Sequence, residues 1–438
     1  MLSAFGQAFR TPDLRKKLLF TLGIIVLFRI GSLIPTPGVS YGAVRACIAG
    51  APEDANSFLG LANLFSGGAL LQLSVFALGI MPYITASIIV QLLTVVIPRF
   101  ETLKKEGQQG QNKLTQYTRY LTIGLAVLQS STLITFARNP ENLFGPQCTS
   151  ILYRDDMATI VLMVLTMTAG TGLIMWLGEL ITDKGVGNGM SLLIFTSIAS
   201  TFPSSLWAIK QQEDSWATFS FVIAMGLVII AIVVFVEQSQ RRIPVQYAKR
   251  MVGRQMYGGT STYIPLKVNM ANVIPVIFAS SLISLPMMAS QFRRSPTGDN
   301  PTWVDWVDRY LVRGDHPVYM AIYVTLILFF TFFYVSITFE PDEVADNMKK
   351  YGGFIPGIRA GRPTAEYLKY VLNRITVVGA IYLALVSLIP LVALSLFGAN
   401  QNFPFGGTSI LIMVGVGLET VKQIESQLQQ HKYEGFLR

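Results

Sequence analysis

The chain has 438 residues, of which 51% are hydrophobic and only 13% charged, and its mean hydropathy is +0.48. A soluble domain carries about 25% charged residues, so this composition excludes an ordinary soluble protein and indicates an integral membrane protein. The formal net charge is +9. A basic excess in a membrane protein is typical of positively charged cytoplasmic loops.

The apolar part of the chain should fold as α-helices. Long uncharged runs separated by short polar segments favour helices, because membrane-barrel strands are only about 10 residues long and alternate in polarity. The first helix should begin at Pro12, with Thr11 as its N-cap. About ten transmembrane helices are predicted, near residues 18–35, 74–97, 117–137, 158–178, 189–209, 217–236, 271–290, 318–338, 375–397 and 408–424.

Lysine and arginine predict the orientation of these spans. With one crossing per run, 25 of the 34 lysines and arginines fall on one side, 8 fall on the other, and Arg29 lies inside the first span. Positive residues accumulate on the cytoplasmic side of membrane proteins. We therefore expect a multi-pass protein with both termini in the cytoplasm.

The stretch 58–98 contains no charged residue and is too long for one span, which needs only about 20 apolar residues. Two spans here would invert the charge bias of every later loop, so only one run should cross. Residues 58–73 cannot lie as irregular backbone in lipid, because unsatisfied peptide groups are too costly there. Two structures are therefore expected for this segment: an interfacial helix on the outer surface, or a short helix folded back into the bundle. Either would need a flexible break, which residues 66–68 supply. The near absence of a polar face favours the folded-back helix.

Two short motifs recur at an offset of five spans. PYITAS matches PVIFAS at Pro82–Ser87 and Pro275–Ser280, and GMSLLI matches GTSILI at Gly189–Ile194 and Gly407–Ile412. An odd number of spans per repeat inserts the second copy upside down, as in many membrane transporters. The chain is predicted to divide into an N-terminal half, 1–206, with spans 1–5, and a C-terminal half, 207–438, with spans 6–10.

The repeat pairs residues that should lie near the centre of the bilayer. Pro82 and Pro275 are expected to weaken their helices near mid-membrane. A pathway through an inverted repeat lies where its two copies meet, so matched apolar residues are candidates to line it. The matched isoleucines are Ile84 with Ile277 and Ile194 with Ile412.

Polar residues within the spans argue against coupled transport and against catalysis. Ion-coupled transporters keep acidic or histidine residues near the midplane, where these spans have essentially none. Arg29 is expected to snorkel to the surface or to pair with an acid in a loop. His316 and His431 lie far apart outside the spans, and the loop GVGNG at 185–189 lacks the lysine of a nucleotide loop. We predict no enzyme, no cofactor and no metal site, but a path gated by an apolar constriction.

Seven motifs point to a known family. They read NLFSGGALLQLSVFALGIMPYITASIIVQLL, KKEGQQGQNKLTQYTRY, GVGNGMSLLIF, QRRIPVQYAKR, TYIPLKVNMANVIPVIFASS, YGGFIPGIRAGRPT and SQLQQHKYEGFLR. Through them, residues 15–438 are similar to the SecY family, the central channel subunits of bacterial protein translocation. The resemblance implies two inverted halves of five spans, with a short re-entrant plug helix before span 2. It implies a plasma-membrane channel that moves unfolded secretory polypeptides across the membrane and releases transmembrane helices sideways into lipid.

The resemblance also implies a plug and a pore ring. The plug falls at about 58–73 and includes Phe58, Leu61, Leu64, Phe65, Ser66, Gly67 and Gly68. The ring falls on Ile80, Ile84, Met190, Ile194, Ile277 and Ile412. Four of these are the isoleucines that the repeat pairs, whereas Met190 stands where a branched residue is usual. An unbranched thioether is more adaptable, so this ring should seal a little less rigidly.

A lateral gate is implied between spans 2 and 7, at Ser87, Gln91, Asn272 and Ile277. Asn272 stands where the family more often has glycine. In a continuous helix it would lie five residues, or about 7.5 Å, below Ile277. Ser87 and Gln91 bracket that depth on span 2, so we hypothesise a hydrogen bond from Asn272 across the gate.

Two basic cytoplasmic loops, at about 237–267 and 340–374, are longer than simple connections require. In proteins similar to SecY these loops dock the motor ATPase SecA and the ribosome, whose RNA phosphates suit arginine. Near the second loop's tip, Arg362 stands where a polar or acidic residue is commoner. Other implied partners are the small subunits SecE and SecG, signal sequences, nascent polypeptides and membrane lipid. The implied docking residues are Arg241, Arg242, Arg254 and Arg359.

Cys47 and Cys148 both fall in predicted outer loops, on the oxidising side of a bacterial envelope. A disulfide between them would suit that location, with free thiols as the default expectation. Two alternative functions stay open, an inverted-repeat solute transporter and a structural scaffold. The transporter would need ionisable residues at the midplane, and a scaffold would explain neither the repeat nor the apolar segment before span 2.

Overall fold

The computed structural model describes residues 6, 9–50, 66–138, 140, 148, 150–213, 216–247, 250–252, 255–257, 261–293, 301–311, 316–397 and 407–436. The helices are α1 (Pro12–Leu33), α2 (Tyr41–Gly50), α3 (Met81–Val96), α4 (Pro98–Lys105), α5 (Gln108–Arg138), α6 (Met157–Lys184), α7 (Gly189–Glu213), α8 (Trp216–Gln238), α9 (Ile274–Arg293), α10 (Thr302–Tyr310), α11 (Pro317–Thr338), α12 (Pro341–Lys350), α13 (Arg362–Phe397) and α14 (Gly407–Phe436). The strands are β1 (Gln240–Tyr247), β2 (Arg250–Val252), β3 (Gln255–Tyr257), β4 (Ser261–Lys267) and β5 (Gly353–Phe354).

Each predicted hydrophobic run overlaps one long helix, and these helices are α1, α3, α5, α6, α7, α8, α9, α11, α13 and α14. The mostly helical fold is therefore confirmed. Within the described residues, three helical segments are long and apolar enough to cross a membrane on their own: Met157–Lys184, Pro317–Lys350 and Arg362–Ile389. The helices α3 and α4 meet that test together, as a pair bent by 100°. The number of ten crossings stays a prediction.

Proline marks the beginning of several helices. α1 begins at Pro12 with Thr11 as its N-cap, as predicted. Pro82 and Pro275 are the second residues of α3 and α9. The expectation that these two prolines weaken helices near mid-membrane was wrong, because the first turn has no internal N–H bond for proline to remove. They instead fix where two helices start, at matching positions of the two motifs.

The helices that carry the matched motifs contact each other. α3 packs against α9, and α7 packs against α14. These pairs are the predicted spans 2 with 7 and 5 with 10. The main apolar core lies along the same seam, and it gathers buried side chains from α1, α3, α6, α7, α8, α9, α10, α11, α13 and α14. The contacts agree with the predicted inverted repeat, while the division into two halves stays a prediction.

The two basic loops predicted to be cytoplasmic form one folded unit, here called the cytoplasmic unit after that prediction, and the all-α prediction missed its strands. β1 lies between β4 and β5 and runs antiparallel to both. β5 comes from the second loop, and its Phe354 pairs with Gln246 of β1. Ile243, Leu266 and Ile355, drawn from both loops, are buried in a shared apolar cluster. The predicted docking residues Arg241, Arg242 and Arg359 therefore belong to the same folded unit.

A disulfide joins Cys47 to Cys148, the two cysteines of the predicted outer loops, and their Cα atoms are 5.6 Å apart. The default expectation of free thiols was wrong. The two residues are 101 positions apart in sequence. Both border a second apolar cluster, built around Leu73, Ile134 and Met163. This cluster brings α2, the segment before α3, α5 and α6 together, and so holds the two cysteines close.

Replacing Cys47 with serine should lower the stability of the folded chain by about 2–4 kcal/mol, because the cross-link restrains a long loop in the unfolded state. Unfolding in detergent under non-reducing conditions measures this loss. Cys148→Ser and the double variant should lose the same amount, since each lacks the same bond. A double variant less stable than either single variant would contradict the disulfide, and so would free thiols on both peptides in non-reducing mass spectrometry.

Candidate pore and lateral gate

The segment before α3 is buried without being helical. Residues 67–80 run as successive turns, with positive φ angles at Gly67, Gly68 and Leu73. The predicted plug helix is therefore wrong over 67–73, and the predicted span 2 begins at Met81 rather than at 74. Glycines and turns break the helical hydrogen-bond pattern there. Of the predicted plug residues, Phe58, Leu61, Leu64 and Phe65 lie outside the described residues.

Hydrogen bonds to the chain after α1 satisfy part of this segment's backbone. The Thr36 N–H donates to the Leu73 carbonyl at 3.0 Å, and the Val75 N–H donates to the Ile34 carbonyl at 2.9 Å. Turn hydrogen bonds within the segment supplement them. Non-helical backbone at membrane depth needs such partners, since lipid offers none.

Neighbouring helices pack tightly around the same segment. The ring of Phe76 stacks on that of Phe28 in α1, with centroids 5.9 Å apart. At Gly170 in α6, any added Cβ would collide with the carbonyl of Val75. Ile80, at the end of the segment, is only 2% exposed. The described part of the apolar stretch is thus folded back into the bundle and is not an interfacial helix.

Arg29 contacts this segment directly. Its Nη1 donates to the Gly67 carbonyl at 2.8 Å and to the Ser32 hydroxyl at 3.3 Å. Among the described residues no carboxylate pairs with it. The expectation that Arg29 would snorkel or pair with a loop acid was wrong, because a buried backbone carbonyl within reach takes the guanidinium instead.

The predicted ring residues fall within one apolar cluster. Ile80, Ile194, Ile277 and Ile412 are buried in the main core, and Ile84 and Met190 are partly buried against it. They come from α3, the residue before it, α7, α9 and α14. All six therefore belong to one large apolar cluster shared by the matched helices, and their arrangement as a ring stays a prediction.

Met190 differs from the other five. Its sulfur lies against Gly178 of α6, where an added Cβ would come within 2.5 Å of Sδ. Its thioether thus fills the gap between α6 and α7. The preceding loop, predicted not to bind nucleotide, is a helix cap: Asn188 Oδ1 accepts from the Met190 N–H at 3.1 Å and from the Ser191 N–H at 3.3 Å.

The predicted gate residue Asn272 is not helical. Its φ of 53° is in the left-handed region, and α9 begins only at Ile274. The depth estimated from helical rise was therefore wrong. No hydrogen bond of the described residues joins its side chain to Ser87 or Gln91, and Oδ1 faces Gly415 of α14, 3.9 Å from an ideal Cβ there. After glycine, asparagine is the residue that best tolerates the left-handed region. The backbone conformation at position 272 therefore explains why asparagine stands there.

A buried polar cluster fixes the turn that leads into α9, and the sequence reasoning missed it. Asn269 is 2% exposed, and its Nδ2 donates to Glu237 Oε1 at 2.6 Å and to the Asn272 carbonyl at 3.1 Å. Glu237 closes α8 and is itself buried. A cavity of about 270 Å³ adjoins it, lined by Lys267 and Asn272 among others. The asparagine-rich stretch VNMAN was the available sequence signal.

Three of the four predicted docking arginines lie on the cytoplasmic unit. Arg241 and Arg242 are exposed on β1, and the Arg242 guanidinium stacks over the Tyr263 ring at 4.8 Å. Arg359 is exposed on a loop between Gly357 and Gly361, whose φ angles are 86° and 105°. Arg254 lies outside the described residues.

Comparison with known proteins gives a family. The SecY family model matches residues 74–421. The chain is 66% identical over 443 residues, covering both proteins completely, to "Protein translocase subunit SecY" of Streptomyces scabiei. A structure on how the SecY plug domain stabilises the closed channel and maintains a membrane seal matches with TM-score 0.61 and 18% identity, covering 94% of this chain and 91% of the other. Canine Sec61 from a ribosome-channel complex matches with TM-score 0.59 and 17% identity, at the same coverage.

Asn272→Ala should destabilise the protein by about 1–2 kcal/mol, because alanine is strained at positive φ. Asn272→Gly should keep the stability and the gate opening of the parent protein. Unfolding in detergent and a translocation assay measure the two properties. Equal losses in both variants would show that the side chain, rather than the backbone conformation, matters.

Proposed function

The chain belongs to the SecY family, and we propose that it is a passive, gated protein-conducting channel of the bacterial plasma membrane. It moves unfolded secretory polypeptides across the membrane and releases transmembrane helices sideways into lipid. Both termini lie in the cytoplasm, where 25 of the 34 lysines and arginines are placed by the charge pattern. The two halves, 1–206 and 207–438, are inverted copies of each other.

One observation carries the proposal: the matched helices meet around a large apolar cluster, and buried, non-helical backbone lies on its predicted outer side. The cluster includes the six predicted ring residues, and residues 67–80 form the closure. A dry apolar constriction excludes ions by dewetting yet binds no particular side chain. Such a seal suits a bulky and chemically varied passenger.

The lateral gate is the contact between α3 and α9. Ser87 is half-buried and Gln91 exposed on α3, while Ile277 is buried near the start of α9. The turn that Asn269 and Glu237 stabilise by hydrogen bonds directly precedes the first residue of α9. Opening separates these two helices and gives a signal sequence or membrane helix access to lipid.

The cytoplasmic unit is the docking face. Exposed arginines suit carboxylates of a motor ATPase such as SecA and phosphates of ribosomal RNA. The canine Sec61 structure was obtained in a ribosome-channel complex, which supports the second partner. SecE and SecG complete the membrane part. We assign no catalysis to the chain, so the energy comes from the motor or from chain elongation.

Reconstitution with its motor tests the proposal. Vesicles containing the chain, SecE, SecG and SecA should protect a secretory precursor from added protease when ATP is present. Vesicles without the chain are the control. A competent motor that yields no protected precursor, together with uptake of a small solute, would favour the transporter alternative.

Arg359→Glu should reduce this protection and weaken motor or ribosome binding about tenfold, since it replaces a docking charge with its opposite. Arg362→Glu is the matched control, because it makes the same change three residues away, where polar or acidic residues are commoner in the family. Binding and protection are measured at two salt concentrations. Equal losses in both variants would assign the effect to net charge rather than to Arg359.

Ile277→Asn should raise the ion leak of the resting channel several-fold, because an amide in the constriction holds water and opposes dewetting. Ile283→Asn is the control, since Ile283 is also buried in α9 and in the same cluster. Both should be destabilised alike, but only the ring variant should leak. Bilayer conductance without any passenger measures the difference, and equal leaks would remove Ile277 from the ring.

A further inference from the structure

We propose that Arg29 is a positioning residue that holds the segment before α3 in its closed place by gripping the Gly67 carbonyl. The inference rests on the channel function proposed above. The hydrogen bond from Arg29 to the Gly67 carbonyl is called the latch, because it would keep the channel closed. Every part of the contact lies within the described residues.

The location of Arg29 requires a specific partner. It lies four residues before the end of α1, between Leu27 and Ile30, which are 58% and 52% exposed on the apolar surface of the bundle. A charged group at such a position is expensive in a membrane unless it is paired. The side chain turns away from that surface and into the bundle to reach Gly67.

Ser32 orients the guanidinium. Ser32 is 2% exposed, and its hydroxyl donates to the Arg29 carbonyl at 2.7 Å while accepting from Arg29 Nη1 at 3.3 Å. The hydroxyl therefore fixes the side chain on the turn of α1 that faces Gly67. From there Nη1 donates to the Gly67 carbonyl at 2.8 Å.

Gly67 is held from two sides. An added Cβ would lie 3.0 Å from Arg29 Nη1 and 3.1 Å from the Cα of Ser197 in α7. Ser197 is three residues, about 4.5 Å along the helix, beyond the ring residue Ile194. The grip therefore acts just beyond the predicted ring, on the side that the charge pattern assigns to the outside.

The chemistry of the contact suits a latch that must open. Separating a buried ion pair leaves an unpaired charge on each side and costs much free energy. Breaking one hydrogen bond to a neutral carbonyl costs less, so it opposes opening less strongly. The guanidinium stays charged in either state, and Ser32 remains beside it when the segment moves away.

The first test compares resting leak in reconstituted vesicles. Arg29→Met should raise ion leak about tenfold, the factor expected for losing one charge-assisted hydrogen bond. Arg29→Lys, which keeps a charged donor, should fall between Arg29→Met and the parent. Arg138→Met is the control, since Arg138 is exposed at the predicted outer side, paired with Asp155, and should leave the leak unchanged.

The second test separates a latch from general damage to the bundle. In a variant lacking residues 58–68, which leaks by itself if the plug proposal holds, Arg29→Met should add no further leak. Gly67→Ala should leak like Arg29→Met, because its methyl group enters the contact. Gly68→Ala should leak less, since Gly68 shares a positive φ of 89° but has open space around it.

The outcomes distinguish the two proposals. If the deletion leaks but Arg29→Met and Gly67→Ala do not, the latch is overturned and the plug stands. Added leak from Arg29→Met in the deletion variant also overturns the latch. If the deletion itself does not leak, the plug proposal fails. Should Arg29→Met not fold, the comparison of Gly67→Ala with Gly68→Ala decides alone.

Discussion

The structure depends on one constraint: backbone that is not helical must find hydrogen-bond partners when it lies inside an apolar bundle. The backbone of residues 67–80 satisfies this constraint in three ways. It forms turn hydrogen bonds, it bonds to the chain after α1, and its Gly67 carbonyl accepts from the Arg29 guanidinium. The packing around them follows from this. Gly170 lets α6 approach the segment, and the stacked ring of Phe76 fills the space beside α1.

The same constraint recurs in the second copy of the predicted repeat. The residues before α9 are also non-helical, with Asn272 at positive φ, and the buried amide of Asn269 satisfies the Asn272 carbonyl. Both copies then begin a helix with an apolar residue followed by proline. A broken span followed by a proline-started helix, met by its inverted counterpart, is how membrane transporters form sites within the bilayer. Here the meeting point is apolar, which suits a seal rather than an ion site.

Much of the fold was predictable, because hydropathy and charge report each helix independently of the others. The ten runs coincide with helices, and the matched motifs lie on helices that touch. Contacts between distant residues were not predictable in this way. Arg29 was expected to snorkel or to pair with an acid in a loop, but it donates to the backbone carbonyl of Gly67 instead. The depth of Asn272 was predicted from helical rise, but its backbone is not helical. The sheet was missed because β1 and β4 are interrupted by Pro244 and Pro265, and their partner β5 is only two residues long.

The shared sheet has a mechanical consequence. β1 follows α8 directly, and β4 leads into α9 after a short turn, while β5 connects the same sheet to α12 and α13. The two basic loops are therefore joined in one sheet that connects to α8, α9, α12 and α13. The connection from β4 ends at α9, which is one wall of the proposed gate, so a displacement of either loop is passed through the sheet to that helix.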